Sequence, residues 1–489
     1  MADSHTTAKH SLAPVARLEP DAIGVAQDTV IGMASSAPAA SVGLTLALIV
    51  GATAYASGLV IILTAIPMLV IANAYRRLNL WNANCGASFE WVGRAINPYL
   101  GFITGWLMIA AYIIATVSGV EVLGPSVLQV FGNDSTSVWS NIAIGTAVGL
   151  VMLVIAIVGI KITARTQVGM AIVEYGILIG ISAWGLVAVL GHHAGTFHLT
   201  SAWFSLHGIG GKGSLVYGFL AAVFMFTGWD GTIYVNEEVK HRRRNPGRAA
   251  LFAVALLAIV YTFSSVGLQG VVSPSKLQAN STSILVYVAN ALGGGAWAKV
   301  MALALALSVV ATTGTGIVLT ARMVYGMASY RALPEFLGNV SRRFSTPVAA
   351  SVVVGFLIIA LTWVYLLTTT VQNAFDYVVD VTGLLFAIFY ILTALATMVF
   401  YRTRVFSGAR DAVTLGILPL AAAVFLAWMV IESLKNAGSS YRPEMLSLGG
   451  ILGVGIILML IARFGLKSTF FQIRREKDDG TVEAEVANA

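Results

Sequence analysis

Residues 224–231 read FMFTGWDG, and they sit inside an otherwise apolar run. Gly228, Gly231 and Asp230 are poor choices for the middle of a membrane helix. Glycine weakens a helix interior by about 1 kcal/mol relative to alanine, and a carboxyl group at mid-bilayer costs roughly 3 kcal/mol or more. The break and the acid fall in the same turn. Either this is a packing kink, or the freed backbone and the carboxyl group are put to use.

The surrounding chain fixes the setting. Of 489 residues, 57% are hydrophobic and 10% are charged, too few charges to cover a soluble protein of this size. The composition is that of a polytopic membrane protein, and one membrane body is expected rather than several domains. A single cysteine, Cys85, excludes an intrachain disulfide framework. The first twenty residues are polar and hold no short apolar core with a cleavage site, so the first membrane helix is expected to act as the insertion signal.

A helix crosses the hydrocarbon core in about 20 residues. Runs of that kind fall at roughly 23–49, 56–75, 99–128, 138–160, 167–190, 214–237, 249–271, 297–325, 347–369, 375–400, 412–433 and 446–464. They lack the period-two alternation of a barrel, and backbone groups in lipid must pair internally. The fold class expected is therefore an all-α membrane protein with twelve transmembrane helices. Of 29 lysines and arginines, all but Lys212, Lys276, Lys299, Lys435 and Arg442 fall on one side of these spans, together with both termini. That asymmetry places both termini in the cytoplasm of a cell-membrane protein. The net charge of +7 then faces anionic membrane lipids and gives no reason to invoke nucleic acid.

Span 1, VIGMASSAPAASVGLTLALIV, carries Ser35, Ser36 and Pro38 in its middle. Proline removes a donor and clashes with the preceding turn. The interrupted spans are thus the first and the sixth, a five-helix offset that two inverted repeats would produce. Breaks in matching positions of two repeats point to a transporter's binding site. Unwound backbone there exposes carbonyls to an ammonium group and aims helix N-termini at anions. A substrate with an amine, with or without a carboxylate, would fit between. The division expected is an N-terminal tail over 1–20, one transporter body over 21–466 and a C-terminal tail over 467–489, polar and disordered after Lys477. Within the body, repeats lie at about 21–192 and 213–402 and two added helices at about 411–466.

Two stretches carry a family resemblance. Residues 236–250, NEEVKHRRRNPGRAA, resemble the EEVKNPRRNxPRA stretch that ends the sixth helix of amino acid–polyamine–organocation (APC) permeases. Residues 85–112, CGASFEWVGRAINPYLGFITGWLMIAAY, resemble the same family's helix 2–3 segment, with its Gly-rich start, RAxxP turn and GFxxGW motif. The resemblance implies a 5+5 inverted repeat with broken helices 1 and 6 plus two appended helices, and secondary transport of amino acids or related amines by symport or exchange. Separately, no nucleophile–base set, phosphate-cradling loop or HExxH motif stands out in the sequence, so no enzymatic activity and no cofactor are expected. There are departures. Many members place a GxG stretch at the helix 1 break to hold the substrate carboxylate, whereas this chain has Ser35-Ser36-Ala37-Pro38. Several proton-coupled members carry a lysine on helix 5 where this chain has Glu174.

Residue by residue, Ser35, Ser36, Ala37, Phe226, Thr227, Gly228 and Trp229 are the expected substrate contacts. Glu174 lies too deep in span 5 to reach water easily, so it handles a cation or is a hydrogen-bonded structural group. Asp230 either contacts a substrate amine or gating proton, or caps the half-helix that follows it. Phe224, Trp106 and Tyr112 are gate candidates, against the plain alternative of apolar packing. Asp28 is a further gate candidate, expected to pair with an inner-loop arginine. Glu237 and Glu238 read as a helix end salt-bridged to Lys240 and Arg242–Arg244.

Thr312 and Thr313 are candidates for a sodium site, or else small residues that allow close packing. Glu121, Asp376 and Asp380 fall near outer helix ends. His192, His193, His198 and His207 are irregularly spaced and call for no metal. The excess of buried acids over identifiable buried bases favours an amine-rich substrate. Expected partners are a small-molecule substrate, protons or sodium, and lipid, with the chain a monomer or homodimer. An exchanger or sodium-coupled symporter is the alternative within this class; a receptor or channel of the same fold is the alternative outside it.

Overall fold

The computed structural model of the protein describes residues 17–133, 137–192, 196–280, 284–368, 371–436 and 441–478, with backbone alone at 202, 208, 274, 278, 371–379, 436 and 441. The first apolar run holds α1 (Val25–Ser35), α2 (Pro38–Thr53) and α3 (Ser57–Trp81). A short α4 (Ser88–Ala95) leads into α5 (Pro98–Val130), α6 (Val138–Val158) and α7 (Ile160–Leu190). The sixth expected span is split into α8 (Lys212–Phe226) and α9 (Gly231–Tyr234). Then come α10 (Asn245–Gln269), the short α11 (Pro274–Ala279) and α12 (Ile284–Gly293), and the long α13 (Gly295–Ala328). The remainder is α14 (Val348–Thr368), α15 (Val371–Phe400), the short α16 (Arg402–Val405) and α17 (Ala409–Asp411), α18 (Leu418–Asn436) and α19 (Tyr441–Leu460).

Among the described residues the one β-type pairing is an isolated parallel bridge, Ile23 to Val239. Among the described residues, eleven runs are long and apolar enough to cross a membrane, against the twelve expected. The difference lies at the start, where a single 57-residue run, Val25–Trp81, covers the first two expected spans. Within it, Ala54 at φ +50° opens a 3-10 turn, Ala54–Ala56, that divides α2 from α3.

Lipid offers little hydrophobic drive for helix association, so close packing depends on small residues. Helices α7 and α10 show it: a Cβ at Gly185 would lie 2.3 Å from Gly267 O, and one at Gly267 would lie 2.3 Å from Ser182 O. The two backbones touch there. The outer helices α6, α14 and α19 instead expose apolar side chains such as Val154, Phe356 and Ile457.

Part of the expected C-terminal tail is docked. Ser468 Oγ donates to Tyr330 O at 2.7 Å, and Phe470 stacks on Phe89 with ring centroids 3.9 Å apart. Further on, Glu476 N–H donates to Arg94 O at 2.8 Å while its carboxylate pairs with the Arg94 side chain, and Asp478 N–H donates to Phe400 O at 3.0 Å. The segment thereby ties α4, the end of α13 and the end of α15 together. Residues 479–489, the rest of the predicted disordered tail, lie outside the described residues. Phe470 is fully buried, so Phe470→Ala is expected to lower stability by about 3 kcal/mol. Thermal unfolding of purified protein in detergent checks this. Glu476→Ala removes one partner of a half-buried Arg94 that keeps Glu90 and Tyr330, and should cost less than Phe470→Ala; equal melting temperatures for Phe470→Ala and wild type would contradict the docking.

Candidate functional site

Both interruptions are present, and they touch. α1 closes with Ala37 N–H donating to Ala34 O at 3.1 Å; Ala37 turns left-handed at φ +46°, and α2 starts at Pro38. Proline suits the first helical position because its missing N–H would be unpaired there. α8 ends at Phe226; Thr227 is extended and Gly228 sits at φ +102° before α9 begins. A Cβ at Gly228 would lie 2.6 Å from Ser35 O and 2.9 Å from Ser36 N, and one at Gly32 would lie 2.8 Å from Trp229 O. The bare backbones of the two broken segments are therefore in contact. From Ile31 to Gly43, only Ser35 and Ala37 keep partial accessibility.

Asp230 is fully buried beside this contact. Its Oδ1 accepts from Tyr112 and Tyr390 hydroxyls at 2.9 Å each, and its Oδ2 accepts from Tyr234 at 2.5 Å. Three helices thus supply neutral donors to one carboxyl group, which has about four acceptor directions in all. It makes no side-chain cap for α9, so the capping alternative is not what the side chain does. Trp229 stacks on Tyr390 at 5.5 Å and meets Tyr75 edge-on at 5.2 Å, and its indole N–H has no acceptor among the described residues.

Glu174 lies on the other side of the helix 1 break. Its Oε1 accepts from Ala39 N–H, in the first turn of α2, at 2.9 Å. Ala40 N–H donates to Ser308 Oγ at 3.2 Å. Thr312 Oγ1 donates to Ala34 O at 2.8 Å, so this threonine reaches the end of α1, while Thr313 Oγ1 turns back to Val309 O in its own helix. Phe226 meets Tyr261 edge-on at 5.4 Å, and Tyr261 OH donates to Ser36 O at 3.4 Å. Thr227 Oγ1 donates to Phe224 O at 2.7 Å, and Phe224 itself packs against Leu44.

Three expectations need correction. Trp106 is not at the site: its indole N–H donates to Ile451 O at 2.7 Å, against α19. Asp28 pairs with no arginine; it is fully buried, and neither carboxyl oxygen meets a donor among the described residues. Glu238 does not pair with the basic run that follows it. It binds Arg322 through two contacts, 2.6 and 2.9 Å, and Arg322 is a buried residue of α13 rather than a loop cation. Glu237 accepts from Cys85 N–H at 3.1 Å. Glu121 accepts from Tyr365 OH at 2.7 Å; the Asp376 side chain and His193 lie outside the described residues.

The residues that sequence reading missed are Tyr75, Tyr234, Tyr390, Tyr261 and Ser308. Tyr234 follows Asp230 at i+4, a spacing that puts two side chains on one helix face, and could have been found. Tyr390 and Ser308 come from distant helices and carry no local signal.

Comparison with known proteins gives the setting for this geometry. Among curated relatives, the mouse Asc-type amino acid transporter 1 is 31% identical over 141 residues, 29% of this chain and 26% of that protein. The mouse Large neutral amino acids transporter small subunit 2 is 25% identical over 248 residues, 51% of this chain and 43% of its own length. The match therefore spans less than half of either relative. Among solved structures, the Eremococcus coleocola manganese transporter in complex with an aromatic bis-isothiourea substituted compound has a TM-score of 0.59 at 11% identity, covering 91% of this chain and 95% of that one. MhsT in complex with L-phenylalanine has a TM-score of 0.57 at 14% identity, covering 84% and 99%. At such identities the likeness concerns the fold alone. The family model described as Amino acid permease matches residues 26–461, nearly the whole helical body, and this multi-pass membrane protein therefore belongs to the amino acid permease family, as the APC motifs at 85–112 and 236–250 imply.

Proposed function

We propose that the chain is a secondary active transporter that moves amino acids or related amines across the cell membrane by alternating access, coupled to protons, with both termini cytoplasmic. The observation that carries the reading is the contact between the two broken segments, with Asp230 and Glu174 buried on either side of it. Ser35, Ser36, Ala37, Phe226, Gly228 and Trp229 line the place where freed backbone and aromatic rings would hold a small charged molecule. The relatives' names, which specify amino acid transport, agree with it. Asp230 is the group assigned to the substrate ammonium and to proton exchange, because a carboxyl group whose side-chain donors among the described residues are neutral hydroxyls can gain or lose a partner charge without breaking an ion pair. Glu174, fixed to Ala39 N–H, belongs to the cradle.

Purified protein in proteoliposomes tests the proposal. With an imposed proton gradient, a labelled substrate should accumulate above its external concentration. A protonophore should abolish the accumulation, and replacing sodium by potassium should leave it unchanged. Uptake that only equilibrates would favour a channel, and binding without uptake a receptor. Asp230→Asn keeps the shape and removes the charge; it is expected to weaken binding of a cationic substrate by about tenfold or more. Unchanged affinity, measured by calorimetry, would remove Asp230 from the site.

A further inference from the structure

A broken helix presents the N–H groups of its second half, and the positive end of that half-helix, to an anion. In this chain the position is already filled. α2 begins at Pro38, which has no N–H. The second amide, Ala39, donates to Glu174 Oε1; the third, Ala40, donates to Ser308 Oγ. The fourth, Ser41, donates to Ala37 O at 2.7 Å, inside the helix. Every amide of the first turn has its acceptor before any ligand arrives. The occupancy does not depend on where the Glu174 proton resides, because an oxygen accepts from Ala39 in either state.

The charges point the same way. Glu174 and Asp230 are both buried against the breaks. Among the described residues Arg322 is the one fully buried arginine or lysine, and it is paired with Glu238. A zwitterionic substrate would bring a carboxylate to a place with two acids, no unpaired cation and no free amide at the helix start. Burying a carboxylate beside two acids, with no cation to pair it, is strongly unfavourable. An amine without a carboxylate meets no such penalty, and it finds a carboxyl group in a ring of tyrosines and a tryptophan, whose faces attract cations.

We infer that the site takes organic amines that lack a carboxylate, Glu174 occupying the position that an amino acid's own carboxylate would need. This rests on the transport reading above for the location of the site, and it narrows the substrate class below what the family name suggests.

The test uses pairs of probes that differ only by the carboxylate: cadaverine and lysine, putrescine and ornithine, agmatine and arginine, tyramine and tyrosine. Binding to the purified wild-type protein is measured by calorimetry. The expected result is at least one pair whose amine binds about tenfold or more tighter than its amino acid. An amino acid that binds as tightly as its amine in every pair that binds, or the failure of all four amines to bind, overturns the inference. Glu174→Ala frees the Ala39 amide and should move the ratio toward the amino acid by about tenfold; an unchanged ratio in folded Glu174→Ala protein would show that Glu174 is not what excludes the carboxylate. Transport is scored separately. An amine that binds but is not accumulated removes the transport reading and leaves the substrate class intact. Gradient-driven accumulation of lysine in preference to cadaverine does the reverse.

Discussion

Gly228→Ala is expected to cut uptake per folded molecule by about a hundredfold, whereas Gly176→Ala leaves it unchanged. The reason is geometric. Gly228 sits at φ +102°, where an L-residue is strained by about 1–3 kcal/mol. Its Cβ would also lie 2.6 Å from Ser35 O and 2.7 Å from Ser35 C, and both are backbone atoms. A flexible side chain could swing aside; a main chain held by α1 on one side and α2 on the other cannot. The collision would be relieved only by moving the two broken segments apart, which displaces Asp230 from Tyr112 and Ser35 from Gly231. Gly176 provides the control. A Cβ there meets nothing within 4 Å, and alanine is the better helix former. Uptake assayed against the amount of monodisperse protein separates misfolding from loss of function. Half the wild-type rate in Gly228→Ala would show that the contact between the breaks does not position the site.

The positions of those breaks were legible because their causes are local. Pro38 lacks an N–H wherever the chain goes, and Gly228 and Gly231 in one turn weaken any helix. The partners of the acids were not legible to the same degree. Asp230 stands out in FMFTGWDG, yet two of its three donors, Tyr112 and Tyr390, lie 118 and 160 residues away. Glu174 stands out in span 5, but its partner is a backbone amide, and a backbone amide has no sequence signature. Aromatic side chains at helical spacing carry the same ambiguity. Tyr112 turned to the site, while Trp106, six residues earlier on the same helix, found a carbonyl on α19. The charge asymmetry that suggests an orientation treats every arginine as a loop residue. Arg322 shows the limit of that rule, since it is fully buried in α13. Asp28 shows the converse: a buried acid near a basic end does not imply a base beside it.

The largest stability effect is expected at Arg322. Its guanidinium meets Glu238 at 2.6 and 2.9 Å, its third nitrogen donates to Val318 O at 3.2 Å, and both side chains are fully buried. The Glu238 carbonyl also accepts from Ala22 and Ile23 amides at 2.8 and 3.2 Å. The pair therefore fastens the chain entering α1 and the chain leaving α9 to α13, at the end of the bundle that carries the arginine-rich run. Removing one partner strands a buried charge, so Arg322→Met or Glu238→Leu alone should cost about 3–5 kcal/mol, and little monodisperse protein should be recovered. The double variant Arg322→Met/Glu238→Leu should recover to within about 1 kcal/mol of wild type, because an apolar pair of similar size needs no desolvation. Transport should not recover with it. An ion pair that separates into water regains its hydration, while an apolar pair does not, so the double variant is expected to bind substrate normally and to lose about tenfold or more in uptake. A double variant as unstable as the singles would mean that shape, not charge, holds this end together. Normal uptake by a stable double variant would mean that this end of the bundle stays shut throughout the cycle, and the alternating exposure proposed here would have to run by another route.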